Sequence, residues 1–198
     1  MSYNRSYHRF FEGYVEKDVL DPTTGRMHIE RVYAGDYYRH KLEDKEWKQL
    51  KVKYAVMYGI ALVCFFVAGL SKNTNVWYTT IPVVLVLFGL LWLGFYVVSY
   101  ICAARKLVIR QYRDREILQA TAMGSAIAFG LAAISQILWM FLHSYLYGYG
   151  VFSIITDIAA AVLLYRLYKK EHEMDYIKVT NQTKVASDSY DIRYREEE

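Results

Sequence analysis

Residues 81–104 read IPVVLVLFGLLWLGFYVVSYICAA, and none of these side chains carries a charge. A helix rises about 1.5 Å per residue, so about 20 apolar residues cover the hydrocarbon core of a bilayer. This stretch is therefore long enough to cross a membrane as a helix. A helix on the surface of a soluble protein would need a polar face toward water, and this sequence lacks one.

The charges of the whole chain are segregated in the same way. The 198 residues include 24 Lys and Arg and 20 Asp and Glu, and all of these except Lys72 and Asp157 lie in 1–53, 105–116 and 166–198. A soluble protein distributes its charge over every element, because each element has a wet face. The sequence therefore predicts an integral membrane protein. It argues against a soluble enzyme, a secreted disulfide scaffold and a nucleic-acid-binding module.

Polar turns divide the two nearly uncharged regions into four predicted spans. The spans cover about 54–70, 81–104, 120–145 and 151–165. Gly148-Tyr149-Gly150 separates the last two, and this short link holds nothing but a turn. The predicted fold class is an all-α integral membrane protein, a four-transmembrane-helix bundle made of two hairpins.

The positive charges beside the spans predict the orientation, because short loops rich in Lys and Arg stay in the cytoplasm. The N-terminal flank, the loop 105–115 and the exit from the fourth span are rich in these residues. The two opposite loops contain one lysine, Lys72. Both termini are therefore expected in the cytoplasm of a multi-pass protein of the cell membrane.

Three parts follow from this topology. They are a cytoplasmic N-terminal region (1–53), a transmembrane domain (54–168) and a cytoplasmic C-terminal tail (169–198). In the N-terminal region, strand-like segments at 14–20 and 26–33 flank the turn sequence Asp21-Pro22-Thr23-Thr24-Gly25, which predicts a small β-hairpin. Residues 42–53 have a charged helical pattern and are expected to continue into the first span.

The predicted hairpin needs something to pack on, because an isolated two-stranded hairpin is marginally stable in water. Met27 and Ile29 alternate with polar residues, which is the pattern of a half-buried strand. The strand-like segment Met174–Val179 offers Ile177 and Val179 and is expected to complete the sheet. A second copy of the chain or a partner protein is the alternative.

Asp157 is the only acid inside a predicted span, and such carboxylates usually face a bundle interior or a wet cavity. Its distance from the turn at Gly150 places it within about one helical turn of Gln136 on the neighbouring antiparallel helix. The hydroxyl residues at a similar depth are Ser135, Ser153 and Thr156. Two interpretations stay open for this candidate polar site. Asp157 either titrates as part of an ion- or proton-coupling site, or forms a structural hydrogen bond to Gln136 that fixes the helix register.

The third span is rich in small residues, which allow two helix backbones to approach closely. Gly124 and Ala128 form one row with a spacing of four residues, and Ala122, Ala126 and Gly130 form another. The row is expected to pack within the chain, most simply against 159–161 of the fourth span. Docking of another chain is the alternative.

No motif for catalysis or metal binding is found in the sequence, and no cofactor is expected. The leading hypothesis is a non-enzymatic membrane protein. It would be an accessory or structural subunit of a larger transport, secretion or envelope complex, or a homo-oligomer. Its expected partners are the lipid bilayer and other membrane-protein subunits, with no nucleic acid. The alternative is a small ion- or proton-coupled channel or transporter that uses Asp157, and a membrane enzyme acting on lipid comes third.

Overall fold

The computed structural model of the protein describes residues 13–20, 26–69, 76–143 and 148–180. In chain order these residues form β1 (Tyr14–Leu20), β2 (Met27–Tyr33), β3 (Tyr37–His40), α1 (Asp44–Gly69), α2 (Trp77–Cys102), β4 (Lys106–Leu107), α3 (Ile109–Leu142), α4 (Gly148–His172) and β5 (Tyr176–Val179). The predicted turns at 21–25 and 71–75 and the end of the predicted third span lie outside the described residues.

The four helices of the described residues are long and apolar enough to cross a membrane. Three of them, α1, α3 and α4, extend beyond the apolar stretch that predicted them, because helical hydrogen bonding continues into the charged flanks. α1 begins at Asp44, so the charged segment before the first span and the span itself are one helix. α3 likewise begins at Ile109, well before the predicted start near residue 120. By the length and composition of these helices, the prediction of a mostly helical, multi-pass protein with a small sheet is confirmed.

The chain divides into two compact units. The strand unit contains β1 to β5 and lies within residues 1–41, 104–113 and 175–198. The helical unit lies within 42–103 and 114–174 and contains α1, α2, α4 and most of α3. The sequence-based division into 1–53, 54–168 and 169–198 is a different one, because it states on which side of the membrane each part lies. That division stays a prediction.

The seam between α1 and α4 follows a heptad pattern. The buried residues of α1 are Trp47, Leu50, Tyr54, Met57, Ala61 and Ala68, and those of α4 are Gly150, Ser153, Asp157, Ala160, Leu164, Leu167 and Glu171. Spacings of three and four residues place each set on one stripe that faces a neighbouring helix. α1 and α4 are the most closely packed pair of helices in the helical unit. Ala61 and Ala160, both fully buried, leave room for this approach.

The small residues of α3 include one that lies very close to α2. A Cβ added to Gly89 of α2 would lie 2.8 Å from the Ser125 hydroxyl and 3.5 Å from its Cα, so the close approach is to α2. Gly124 is exposed, and an added Cβ there or at Gly130 would meet nothing within 4 Å. The row members buried in the helical unit are Ala122, Ala126 and Ala128. Packing of the row against 159–161 of α4 stays a prediction.

In the strand unit, β1 and β2 form an antiparallel two-stranded ribbon in which Tyr14 pairs with Tyr33 and Leu20 with Met27. The carbonyl of Gly13 accepts hydrogen bonds from the backbone N–H groups of Ala34 and Gly35. Gly13 has a φ of +83°, and an added Cβ would lie 2.7 Å from the Tyr33 ring. Glycine is required at this position for both reasons.

β5 pairs with β3 and not with the β1–β2 ribbon, so the prediction that Met174–Val179 completes the hairpin is wrong. β3 is the central strand of a separate three-stranded sheet, with β4 and β5 antiparallel on either side. Two ion pairs bracket the β3–β5 ladder. Asp36 lies 2.8 Å from Lys178 at one end, and Lys41 lies 2.9 Å from Asp175 at the other. Opposite charges at both ends of the ladder add modestly to the stability of this register.

Candidate functional site

Two buried carboxylates lie on the same stripe of α4. Asp157 and Glu171 are two heptads apart, so they share one face of the helix about 21 Å apart along its axis. Both are fully buried. By sequence, Asp157 is the only acid within a predicted span, and Glu171 belongs to the charged flank. The structure corrects this, because α4 continues to His172 and carries Glu171 on its buried face.

Side chains from three helices meet at the Glu171 carboxylate. Tyr54 of α1 and Tyr100 of α2 each donate a hydroxyl hydrogen bond to Oε2, at 2.8 Å and 3.1 Å. Nε of Arg115 on α3 lies 3.2 Å from Oε1. Gln119, one turn further along α3, donates to the backbone carbonyl of Glu171 at 3.2 Å. These five residues, called the Glu171 junction below, connect all four helices at one end of the helical unit.

The Glu171 junction offsets the cost of burying a carboxylate. An ionised acid in a low-dielectric interior is costly unless a cation and hydrogen-bond donors surround it. Here a guanidinium and two phenolic hydroxyls do so, and the Arg115 side chain is itself only 11% exposed. Hydrogen bonds to charged groups are the stronger kind. The junction therefore acts as a structural connection between the helices, with two tyrosine hydroxyls donating to Glu171 and the Arg115 guanidinium at ion-pair distance.

Lys51 makes a second connection at the same end of the helical unit. Its ammonium group donates to the carbonyl of Ile101 at 2.8 Å and to that of Ala103, where α2 ends. A cation is favourable there, because the last carbonyls of a helix lack partners and carry the negative end of the helix dipole. The same ammonium lies 5.1 Å from the centre of the Trp47 ring. α1 thus fixes the C-terminal end of α2.

The candidate polar site around Asp157 is smaller than the sequence suggests. Asp157 and Gln136 are fully buried, whereas the three hydroxyl residues bond within their own helices. The hydroxyl of Ser135 donates to Ala132 O at 2.8 Å, that of Ser153 to Gly150 O at 3.0 Å, and that of Thr156 to Ser153 O at 2.9 Å. Ser and Thr commonly satisfy their hydroxyls in this way in helices. The site is therefore reduced to Asp157 and Gln136, and a hydrogen bond between them stays a prediction.

In the strand unit, Tyr33 joins the turn before β3 to the start of α3. Its hydroxyl donates to the carbonyl of Asp36 at 2.8 Å and accepts from the backbone N–H of Ile109 at 3.0 Å. Burial raises the pKa of this phenol above its usual value. The hydrogen bond from Lys178 to Asp36, together with the negative charge, raises the pKa of Lys178. These contacts connect the turn before β3 to the start of α3 and to β5.

Within the described ranges, no group of three or more His, Cys, Asp or Glu side chains is arranged to hold a metal ion. Comparison with known protein families, curated proteins and solved structures finds no match to this chain.

Proposed function

We propose that this protein is a non-enzymatic multi-pass membrane subunit that presents the β1–β2 ribbon to another protein at the cytoplasmic membrane surface. The observation that carries the proposal is the exposed apolar surface of the ribbon. Met27 is 69% exposed and Ile29 is 66% exposed. In the described part of the chain no third strand pairs with β1 or β2.

A ribbon of this kind is suited to strand addition. Two strands alone are marginally stable in water, and a third strand from a partner satisfies the free edge and covers the apolar side chains. Met27 and Ile29 point to one face, because side chains two residues apart on a strand share a face. The occupant we propose is an extended segment of a partner subunit in a larger membrane complex. A second copy of this chain is the alternative occupant.

The helical unit supports the role of an anchor. The Glu171 junction and the Lys51 contacts connect its helices at one end through buried or half-buried polar groups. Such connections favour one fixed arrangement of the helices. The charge distribution of the sequence supports an orientation with both termini, and hence the ribbon, in the cytoplasm.

Site-specific photo-crosslinking tests the proposal in intact cells. A photoreactive phenylalanine analogue at Ile29 should crosslink to one discrete partner chain. The matched control is the same analogue at Ile177, an apolar residue of β5 that is 49% exposed, and it should give no such product. A crosslinked product with the mass of two copies identifies the homo-oligomer. Absence of any specific product at Ile29, with the protein correctly inserted, would refute the docking role.

A second function is supported by the burial of Asp157 and Gln136. A carboxylate buried between helices at mid-span is typical of proton- and ion-coupling sites. Asp157→Asn keeps the size and the hydrogen-bonding capacity of the side chain and removes its titration. If the protein transports ions, this variant should fold normally and lose pH-dependent ion flux in reconstituted vesicles. Unchanged flux, or no flux in the wild type, would exclude the coupling role.

A further inference from the structure

A basic cavity opens between α1 and α4 at the same end as the Glu171 junction. Its volume is about 390 Å³, and its lining includes Lys53 and Met57 of α1 and Leu163, Arg166 and Lys170 of α4. Small-molecule sites in proteins usually occupy about 300–1,000 Å³. All of its described lining residues belong to the helical unit, and Asp157 is not among them.

The charge of the lining is strongly positive. Lys53, Arg166, Lys169 and Lys170 contribute four positive charges, and Glu173 is the one acid among the described lining residues. Glu173 lies 3.7 Å from Lys169 and offsets that charge. Lys53, Arg166 and Lys170 remain to face the cavity. Three cations from two helices in one cavity repel each other unless an anion lies between them.

The inner wall of the cavity is apolar. Met57 is buried in the core and Leu163 is half-buried, each within one turn of a lining cation on the same helix. Further toward the middle of the spans, the same helix faces continue to Ile60 on α1 and Ala159 on α4, both exposed. A charged cavity at the end of two spans thus continues into an exposed apolar surface. This arrangement matches a molecule with an anionic head and an apolar body.

We propose that this cavity binds the phosphate headgroup of an anionic phospholipid, with the acyl chains lying along the exposed faces of α1 and α4. Arg166 and Lys170 hold the phosphate from α4, and Lys53 holds it from α1. Met57 and Leu163 contact the glycerol end. Basic pockets between transmembrane helices at a membrane surface commonly recognise such headgroups. A soluble phosphate ester shares the headgroup chemistry, but it would make no use of the apolar surface.

Lipid binding to the full-length protein in a mild detergent tests the site. Native mass spectrometry compares phosphatidylglycerol with phosphatidylcholine of the same chain length. The variant Arg166→Gln/Lys170→Gln should weaken phosphatidylglycerol binding about 30-fold, because each basic residue near an anionic headgroup contributes about a fivefold effect. The matched control Lys45→Gln/Lys48→Gln removes two exposed lysines of α1 outside the cavity and should leave the affinity nearly unchanged.

Two further measurements keep the test decisive. Raising the salt concentration should weaken binding of phosphatidylglycerol to the wild-type protein and leave binding of phosphatidylcholine unchanged. This measurement uses only the wild-type protein, so it does not depend on the folding of any variant. Millimolar inorganic phosphate should fail to displace the lipid. Equal binding of the two lipids, or equal losses in the lining and control variants, would overturn the site. Full displacement by inorganic phosphate would show that the occupant is a soluble anion and would overturn the lipid assignment.

Discussion

Replacing Glu171 with leucine tests whether the Glu171 junction stabilises the helical unit. The substitution removes the carboxylate that the largely buried Arg115 faces and the acceptor of two tyrosine hydroxyls. Removing one partner of a buried ion pair costs about 3–5 kcal/mol, because the remaining charge loses its compensation. The free energy of unfolding should fall by about this amount.

The double variant Arg115→Leu/Glu171→Leu separates the ion pair from simple packing. Replacing both charges with apolar side chains is often close to neutral, so the double variant should lose much less than the sum of the two single variants. The difference is a coupling energy of at least about 1 kcal/mol. Reversible unfolding in mixed detergent micelles, followed by far-UV circular dichroism, measures each free energy.

Glu173→Leu is the matched control for this series. Glu173 lies two residues further along the chain, its side chain is 60% exposed, and its ion pair with Lys169 is on the surface. Its replacement should change the free energy of unfolding by less than about 0.5 kcal/mol. Equal losses for Glu171→Leu and Glu173→Leu, or additive losses in the double variant, would refute the structural role of the Glu171 junction.

Two further predictions follow from single contacts. In Gly94→Ala the new methyl group would collide with the Tyr58 ring and break the hydrogen bond from the Tyr58 hydroxyl to Leu90 O. The free energy of unfolding should therefore fall by about 1–3 kcal/mol. The control Gly59→Ala adds a methyl group that meets nothing within 4 Å, so it should be neutral or stabilising. The hydrogen bond and charge of Lys41 lower the pKa of Asp175 below the ordinary aspartate value of 3.8. The ion pair therefore stabilises the β3–β5 pairing at neutral pH, and this stabilisation is lost as the pH falls below 3.8. Near-UV circular dichroism of the tyrosines should show an acid transition in the wild type that Asp175→Asn lacks.

The helices could be predicted from the sequence because crossing a membrane imposes a local requirement. Each span must be apolar over about 20 consecutive residues, whatever its neighbours are. The small sheet imposes no such local requirement. β3 has four residues and pairs with β5 about 140 positions away along the chain. The ion pairs beside it, Asp36–Lys178 and Lys41–Asp175, join residues about as far apart in sequence. A local pattern therefore favoured the longer β1–β2 ribbon as the partner of β5.

The candidate site shows the same difference. Asp157 was evident because it is a charge within an apolar stretch. Glu171 lies among charged residues, and its burial depends on Tyr54, Tyr100 and Arg115 from three other helices. One local signal pointed to it, since residues 150, 153, 157, 160, 164, 167 and 171 follow a continuous heptad pattern. Reading the period through the charged flank would have placed Glu171 on the buried stripe.

Cysteine accessibility in intact cells measures the topology on which the docking role depends. Starting from Cys64→Ala/Cys102→Ser, single cysteines replace Asn73, Gly148 and Lys106, and an impermeant thiol reagent is added outside the cell. Four spans with both termini in the cytoplasm predict labelling at Asn73 and Gly148, and none at Lys106 until the cells are opened. Labelling at Lys106 in intact cells, with protection of the other two positions, would contradict the proposed orientation and place the ribbon outside the cell.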